Sequence, residues 1–92
     1  MTDNEPFEID VTDSIDLHAF HPSEIREVVE AYLAEAHRKG FSIVRIIHGK
    51  GIGVQREIVR KVLSETDFVI SFKAAMEFSG NSGATIAKLN VY

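Results

Sequence analysis

Residues 41–53 read Phe-Ser-Ile-Val-Arg-Ile-Ile-His-Gly-Lys-Gly-Ile-Gly, an apolar run followed at once by a glycine-rich turn. The run 41–47 is apolar on both faces except at Arg45, which is typical of a central strand in a sheet. Residues 54–64, after the turn, have the apolar spacing of a helix. A glycine-rich turn between a strand and a helix exposes backbone N–H groups beside a helix N-terminus. The stretch therefore predicts an anion site, with a phosphate as the first ligand to consider.

The bulk composition is that of one small globular domain. The chain has 92 residues, of which 45% are hydrophobic, and it has no cysteine. Disulfides and thiolate metal sites are therefore excluded. No apolar run approaches the roughly 20 residues that span a bilayer, and no signal-peptide pattern opens the chain. We expect a cytoplasmic protein without a membrane partner.

The acidic residues are concentrated at the start of the chain. Residues 1–14 carry five acidic residues and no basic one, and they are predicted to form an acidic arm ahead of a folded domain at 15–92. The other 78 residues carry nine acidic and all ten basic residues, so their net charge is close to neutral. Any phosphate binding must therefore come from a local patch of charge.

The pattern on either side of the opening stretch completes a fold. Residues 15–18 alternate as a short strand, Pro22 opens a helix with one apolar face, and Gly40 is placed to end it in a left-handed cap. Two further strands are predicted at 68–74 and 84–91. The order β-α-β-α-β-β predicts a two-layer α/β sandwich, in which two helices cover one face of a four-stranded mixed sheet and crossover connections make the first strands parallel.

The glycine turn does not fit the two standard nucleotide loops. A Walker-type loop needs a glycine where Val44 stands, and it needs Ser or Thr where Gly51 follows Lys50. A dinucleotide fingerprint needs its third glycine where Val54 stands. Two interpretations stay open from the residues alone: a tight turn that needs positive φ, or a loop that binds phosphate.

A second group of polar residues lies near the end of the first predicted strand. Asp16 and His18 are two apart, so their side chains point the same way, and an aspartate beside a histidine can orient it as a general base. A solvated polar face is the alternative. Ligands of open α/β sheets bind at the carboxyl ends of the strands. If the first two strands are neighbours, Asp16, His18 and His48 converge on the loop, and the two histidines could act as base and acid on a phosphodiester.

Other side chains extend or compete with this hypothesis. Arg56 and Arg60 fall near one side of the second helix, where they could contact a backbone phosphate or form an ordinary exposed face. A zinc site built from Asp16, His18 and His21 lacks a further clear ligand, and His21 fits the entry of the first helix better.

The combination resembles the Smr (small MutS-related) domain family over about residues 14–91. The resemblance rests on Asp16-Leu17-His18, on His48-Gly49-Lys50-Gly51-Ile52-Gly53 with Arg56 after it, and on Gly83-Ala84-Thr85 at the start of the last strand. It implies a fold similar to the C-terminal domain of bacterial translation initiation factor three. One position departs from the family, which usually has a glycine where this chain has Ala19, so the turn there must differ or the strand must run on. Phe20 then either packs as a hydrophobic staple, which we favour, or stacks on a base.

The resemblance also implies a function. Smr domains nick or cleave DNA or RNA, some in DNA recombination or repair and others on messenger RNA at stalled ribosomes, and they often end a larger MutS-like protein. We therefore predict an endonuclease, a phosphodiester hydrolase. Asp16, His18 and His48 are its expected catalytic residues, while Gly49, Lys50, Gly51, Gly53, Arg56 and Arg60 would bind the nucleic acid.

Several alternatives stay open. Asp16 either orients His18 or holds a metal, and a requirement for a divalent ion such as Mg²⁺ is undecided. A binding module for DNA, RNA or the ribosome without chemistry is the second hypothesis. A protein-interaction domain that uses its acidic arm is the third.

Overall fold

The computed structural model describes residues 11–49, 53–75 and 83–91. Its elements follow the predicted order: β1 (Asp13–Asp16), a 3₁₀ turn (Pro22–Glu24), α1 (Ile25–Arg38), β2 (Ile43–Ile47), α2 (Val54–Glu65), β3 (Val69–Ala74) and β4 (Ala84–Leu89). Most of the predicted acidic arm, together with Lys50 and Gly51, lies outside the described residues. No helix in the part of the chain that the structure describes is long and apolar enough to cross a membrane.

The sheet is mixed, with strand order β1-β2-β4-β3. β1 pairs with β2 in parallel, and β4 runs antiparallel to both β2 and β3. Asp16 is in register with Ile47, and Ile47 is in register with Ala84. The carboxyl ends of β1 and β2 therefore meet the start of β4 at one edge of the sheet, where the candidate site lies.

Both helices bury an apolar face against the same side of the sheet. α1 ends before Gly40, whose φ of 81° is positive as predicted, and Gly53, whose φ is 91°, immediately precedes α2. The main core joins both helices to the strands; its fully buried members include Leu17, Ile25, Val29, Leu33, Val44, Ile46, Val59, Val62 and Leu63. The predicted two-layer α/β fold is confirmed. A smaller cluster of Ile43, Ala75, Ala84 and Ile86 forms apart from this core.

The first strand differs in position from its prediction. It covers 13–16 rather than 15–18, and the Thr12 N–H already donates to the Ile43 carbonyl at 2.7 Å. Asp16 ends the strand because its side chain accepts the His18 N–H, and the Phe20 N–H then closes a turn on the Leu17 carbonyl. Within the described residues no residue other than glycine has positive φ, so Ala19 is accommodated without that strain. Phe20 packs against the main core, as the staple interpretation predicts.

Candidate functional site

The end of β1 presents a hydrogen-bonded pair of polar side chains. The Asp16 carboxylate accepts two hydrogen bonds on Oδ1, one from the His18 backbone N–H at 2.9 Å and one from His18 Nδ1 at 2.6 Å. These two hydrogen bonds, the backbone bond first, hold the pKa of Asp16 below its usual value. Asp16 is thus ionised at neutral pH, and it places the proton of a neutral His18 ring on Nδ1.

The other ring nitrogen of His18 faces the glycine turn. A Cβ atom on residue 49 would lie 3.5 Å from His18 Nε2, so the absence of a side chain at Gly49 keeps the approach to this nitrogen open. Gly49 has a φ of 86°, which glycine adopts without steric cost. The side chain of His18 is 69% exposed. The arrangement leaves a basic nitrogen directed at an accessible surface beside the turn.

His48 occupies a different environment, although it follows the neighbouring strand. Only 6% of its surface is exposed, and both of its ring nitrogens have partners. Nδ1 lies 2.9 Å from the Gly49 carbonyl oxygen and Nε2 lies 2.9 Å from the Thr85 hydroxyl. Burial, the largest effect, and the positive charges of Arg56 and Arg60 lower its pKa, so the ring is neutral at pH 7. The structure therefore turns His48 away from the surface that His18 faces.

The first amides of the turn are also engaged internally. The N–H groups of His48 and Gly49 both donate to the Gly83 carbonyl at 2.8 Å. The Gly49 amide is thus directed at the start of β4 and not at an outside ligand. Any anion that the turn binds through amides must use N–H groups further along the chain.

Basic side chains lie at the start of α2. The Arg56 side chain reaches back toward Gly53, where a Cβ atom would lie 3.4 Å from Arg56 Nη2. Its guanidinium is 3.9 Å from the Glu57 carboxylate and half of the side chain is exposed. Arg60 lies one turn further along, with its guanidinium 5.4 Å from the centre of the Phe72 ring. No side chain of the described residues caps the N-terminus of α2, where the helix dipole favours an anion.

Comparison with known proteins identifies the family. The family model of the Smr domain matches residues 15–90. The chain belongs to the Smr domain family.

Solved Smr domains share the fold of this one. The Smr domain of Thermus thermophilus MutS2 matches with a TM-score of 0.77 and 33% identity, covering 85% of this chain and 98% of that one. The stand-alone small MutS-related protein YdaL of Escherichia coli matches with a TM-score of 0.75 and 32% identity, covering 83% of this chain and 63% of that one.

Curated relatives include much longer proteins. Endonuclease MutS2 of Acetivibrio thermocellus is 38% identical over 79 residues, which make up 86% of this chain and 10% of that protein. Endonuclease MutS2 of Carboxydothermus hydrogenoformans is 39% identical over 71 residues, or 77% of this chain and 9% of that protein. This Smr domain thus spans about a tenth of the length of the curated relatives that it matches.

His21 has a structural place in this Smr domain. Its Nδ1 accepts the Ser23 N–H at 3.1 Å, and the Glu24 carboxylate accepts the His21 N–H at 3.0 Å, which together form a capping box ahead of α1. Among residues 11–49, 53–75 and 83–91, no three His, Cys, Asp or Glu side chains come close enough to hold a metal ion. The described side chains therefore do not build the Asp16, His18 and His21 zinc site, and we derive no step through a metal.

Thr85 has a role that the sequence pattern does not predict. From the sequence it is only part of the motif that opens the last strand. The structure places its hydroxyl on His48. A hydroxyl residue on the face of β4 that is otherwise formed by Ala87 and Leu89 was the available signal, because a buried polar group needs a hydrogen-bonding partner.

Proposed function

We propose that this Smr domain binds nucleic acid and cleaves one strand of DNA or RNA, with His18 as the general base. The observation that carries the proposal is the Asp16–His18 pair, whose Nε2 faces Gly49 at the edge where β1, β2 and β4 meet. The MutS2 relatives are named endonucleases, which supports the same reaction class.

The chemistry would use His18 as a proton acceptor. The oxygen of a water molecule, or of a ribose hydroxyl in RNA, attacks phosphorus and passes its proton to His18 Nε2. The bond from phosphorus to the departing strand breaks, and solvent protonates the departing oxygen. Asp16 holds Nδ1–H and stabilises the imidazolium that forms, since its carboxylate is ionised and 2.6 Å away.

The start of α2 would hold the phosphate backbone. Arg56 and Arg60 supply positive charge beside the turn, and the uncapped helix N-terminus favours an anion. Lys50, Gly51 and Gly53 stay predicted phosphate ligands, the first two from sequence alone. Gly49 would not bind the phosphate through its N–H, because that group already donates to the Gly83 carbonyl. Its role would be to leave the approach to His18 Nε2 open, because it has no side chain.

We revise the role predicted for His48. A neutral, buried ring with both nitrogens engaged is poorly placed to exchange a proton with a substrate. Its Nδ1 contacts the Gly49 carbonyl, and we assign it the role of shaping the turn.

A binding module without chemistry is the second candidate. The burial of His48 favours it, because one histidine of the predicted acid–base pair is withdrawn from the surface. Such a module would bind DNA, RNA or the ribosome through Arg56 and Arg60 with strong salt dependence, and it would cleave nothing. Attachment to a larger MutS-like protein, a role in repair or recombination, an acidic arm at 1–14 and a cytoplasmic location stay predictions from the sequence.

The deciding experiment is a cleavage assay on supercoiled plasmid DNA and on end-labelled structured RNA, with and without EDTA. We expect the wild type to nick at least one substrate and His18→Asn to lower the rate about 100-fold or more. The EDTA arm shows whether a divalent ion is required.

His21→Asn is the matched control. It removes another exposed histidine three residues away, and asparagine preserves the helix cap. Equal rates for the wild type and His18→Asn would refute His18 as the base. Salt-dependent binding without cleavage under any condition would favour the binding module.

A further inference from the structure

Thr85 is a buried polar residue in the middle of the sheet. Its side chain is fully buried, and it lies on β4 in register with Ile46 on one side and Ala74 on the other. Its Oγ1 is 2.9 Å from His48 Nε2, across 37 residues of sequence. A hydroxyl in such a position is costly to bury unless it forms a hydrogen bond, and His48 supplies that bond.

The direction of the hydrogen bonds around His48 follows from its partners. The Gly49 carbonyl oxygen can only accept, so His48 Nδ1 must carry the proton that it shares with Gly49. In the neutral ring Nε2 then has only a lone pair, and the Thr85 hydroxyl must donate to it. The lowered pKa of His48 is consistent with this neutral state. The Gly49 carbonyl thus selects the Nδ1–H form of the ring, and the Thr85 hydroxyl anchors the ring in that orientation by donating to Nε2.

The anchored His48 ring in turn constrains Gly49, which lies nearer the surface. His48 Nδ1–H holds the carbonyl of Gly49, while the Gly49 N–H is held by the Gly83 carbonyl at 2.8 Å. Both sides of residue 49 are thereby constrained in the conformation with a φ of 86°. That conformation places the bare Cα of Gly49 beside His18 Nε2.

We propose that Thr85 is a positioning residue, which anchors the His48 ring through Nε2 and through that ring fixes the shape of the turn that faces His18. It touches neither the exposed surface nor His18. The proposed effect on cleavage rests on the proposed nuclease function, whereas the effects on the His48 ring and on the turn do not.

The test uses nitrogen NMR of the histidine rings and the backbone amides in the full chain. We expect the wild-type His48 ring to be neutral at pH 7 with the proton on Nδ1. Thr85→Val replaces the hydroxyl with a methyl group of similar size. We expect it to shift the His48 Nε2 resonance, because that nitrogen loses its hydrogen-bond donor, to shift the Gly49 amide resonance and to lower the cleavage rate about 10- to 100-fold. Thr85→Ser keeps the hydroxyl and should restore both resonances and most of the rate.

Thr66→Val is the matched control, because Thr66 Oγ1 donates to the Val62 carbonyl at 2.7 Å at the far end of α2. It loses a partly buried hydroxyl bond, but it should change neither the His48 Nε2 resonance nor the cleavage rate. A wild-type ring that is charged or protonated on Nε2 would overturn the proposal without any variant. Unchanged His48 Nε2 and Gly49 amide resonances in Thr85→Val would also overturn it.

The two hypotheses fail in different ways. If the wild type cleaves nothing, the His48 Nε2 and Gly49 amide resonances still decide the proposal for Thr85. If cleavage is present but Thr85→Val retains the wild-type resonances and rate, the proposal for Thr85 fails and the proposed function stands.

Discussion

His18 and His48 follow neighbouring parallel strands, yet their surroundings are opposite. His18 lies past the end of β1, with 69% of its side chain exposed and an ionised carboxylate on Nδ1. His48 lies just past the end of β2, with 6% of its surface exposed, a carbonyl on Nδ1 and a hydroxyl on Nε2. One ring has a nitrogen directed at an accessible surface, and the other is enclosed by hydrogen bonds within the fold.

The position of each strand in the sheet explains the difference. Among the described strands β1 lies at the edge of the sheet, with β2 as its one neighbour, and His18 just after it is exposed. β2 lies between β1 and β4, and the residue after it forms hydrogen bonds with Gly83 and Thr85 at the start of β4. The same residue type at the same end of a strand is thereby given a surface role in one case and an interior role in the other.

The largest effect on stability should come from His48. We expect His48→Asn to lower the free energy of unfolding by about 2–3 kcal/mol, because it removes a buried ring and leaves the Thr85 hydroxyl without its partner. His18→Asn is the comparison variant and should change the free energy of unfolding by less than about 0.5 kcal/mol, as is usual for an exposed side chain. Urea denaturation at pH 7.5 measures both.

Equal losses in the two variants would show that the contrast in burial does not govern stability. A destabilised His18→Asn beside an unaffected His48→Asn would reverse the comparison. Retention of the unfolding slope in urea is needed in each case, since a changed slope would indicate a change in compactness instead.

The second prediction compares alanine substitutions at two glycines, Gly49 and Gly40, in their effects on stability and on cleavage. Gly49→Ala and Gly40→Ala both place a side chain at positive φ, so each should cost about 1–2 kcal/mol of stability. A Cβ at residue 40 meets open space, whereas a Cβ at residue 49 lies 3.5 Å from His18 Nε2. We therefore expect only Gly49→Ala to slow cleavage beyond what its stability explains. Equal cleavage rates for the two variants would argue against Gly49 as part of the site.

The smallest effect is on the pH dependence of stability. The pKa of His48 is lowered in the folded state, so between that pKa and about 6.5 the unfolded chain binds more protons. The free energy of unfolding should therefore fall as the pH falls from 7 toward 5. His48→Asn should flatten this decline, measured by urea denaturation at pH 7.5, 6 and 5.

The carboxylates contribute to the pH dependence of stability at lower pH than His48 does. The pKa values of Asp16, Glu35 and Glu65 are lowered by hydrogen bonds to His18, Arg38 and Arg26 respectively, so their contributions are lost at more acidic pH. An identical pH dependence in the wild type and His48→Asn would contradict the neutral, buried state of this ring.

Local patterns predicted the elements well because their causes are local. The apolar spacing of α1, the glycine at position 40 and the Asp16–His18 spacing each depend on residues a few positions apart. The first strand lies two residues earlier than predicted because the side chain of Asp16 ends it by accepting the His18 N–H. The alternation of apolar and polar residues gives no sign of such a bond between a side chain and the backbone. The resemblance of the motifs to the Smr family was confirmed, and it specified the fold more closely than composition could.

The sequence by itself determined the element order, the family and the Asp16–His18 pair, since periodicity, turn residues and short spacings act along the chain. The tertiary structure decided the strand order β1-β2-β4-β3, and with it the exposure of His18 and the burial of His48. It also joined Thr85 to His48 and Gly83 to Gly49 across the sheet. Those contacts link residues more than thirty positions apart, so they arise from strand pairing and burial, which no local pattern encodes.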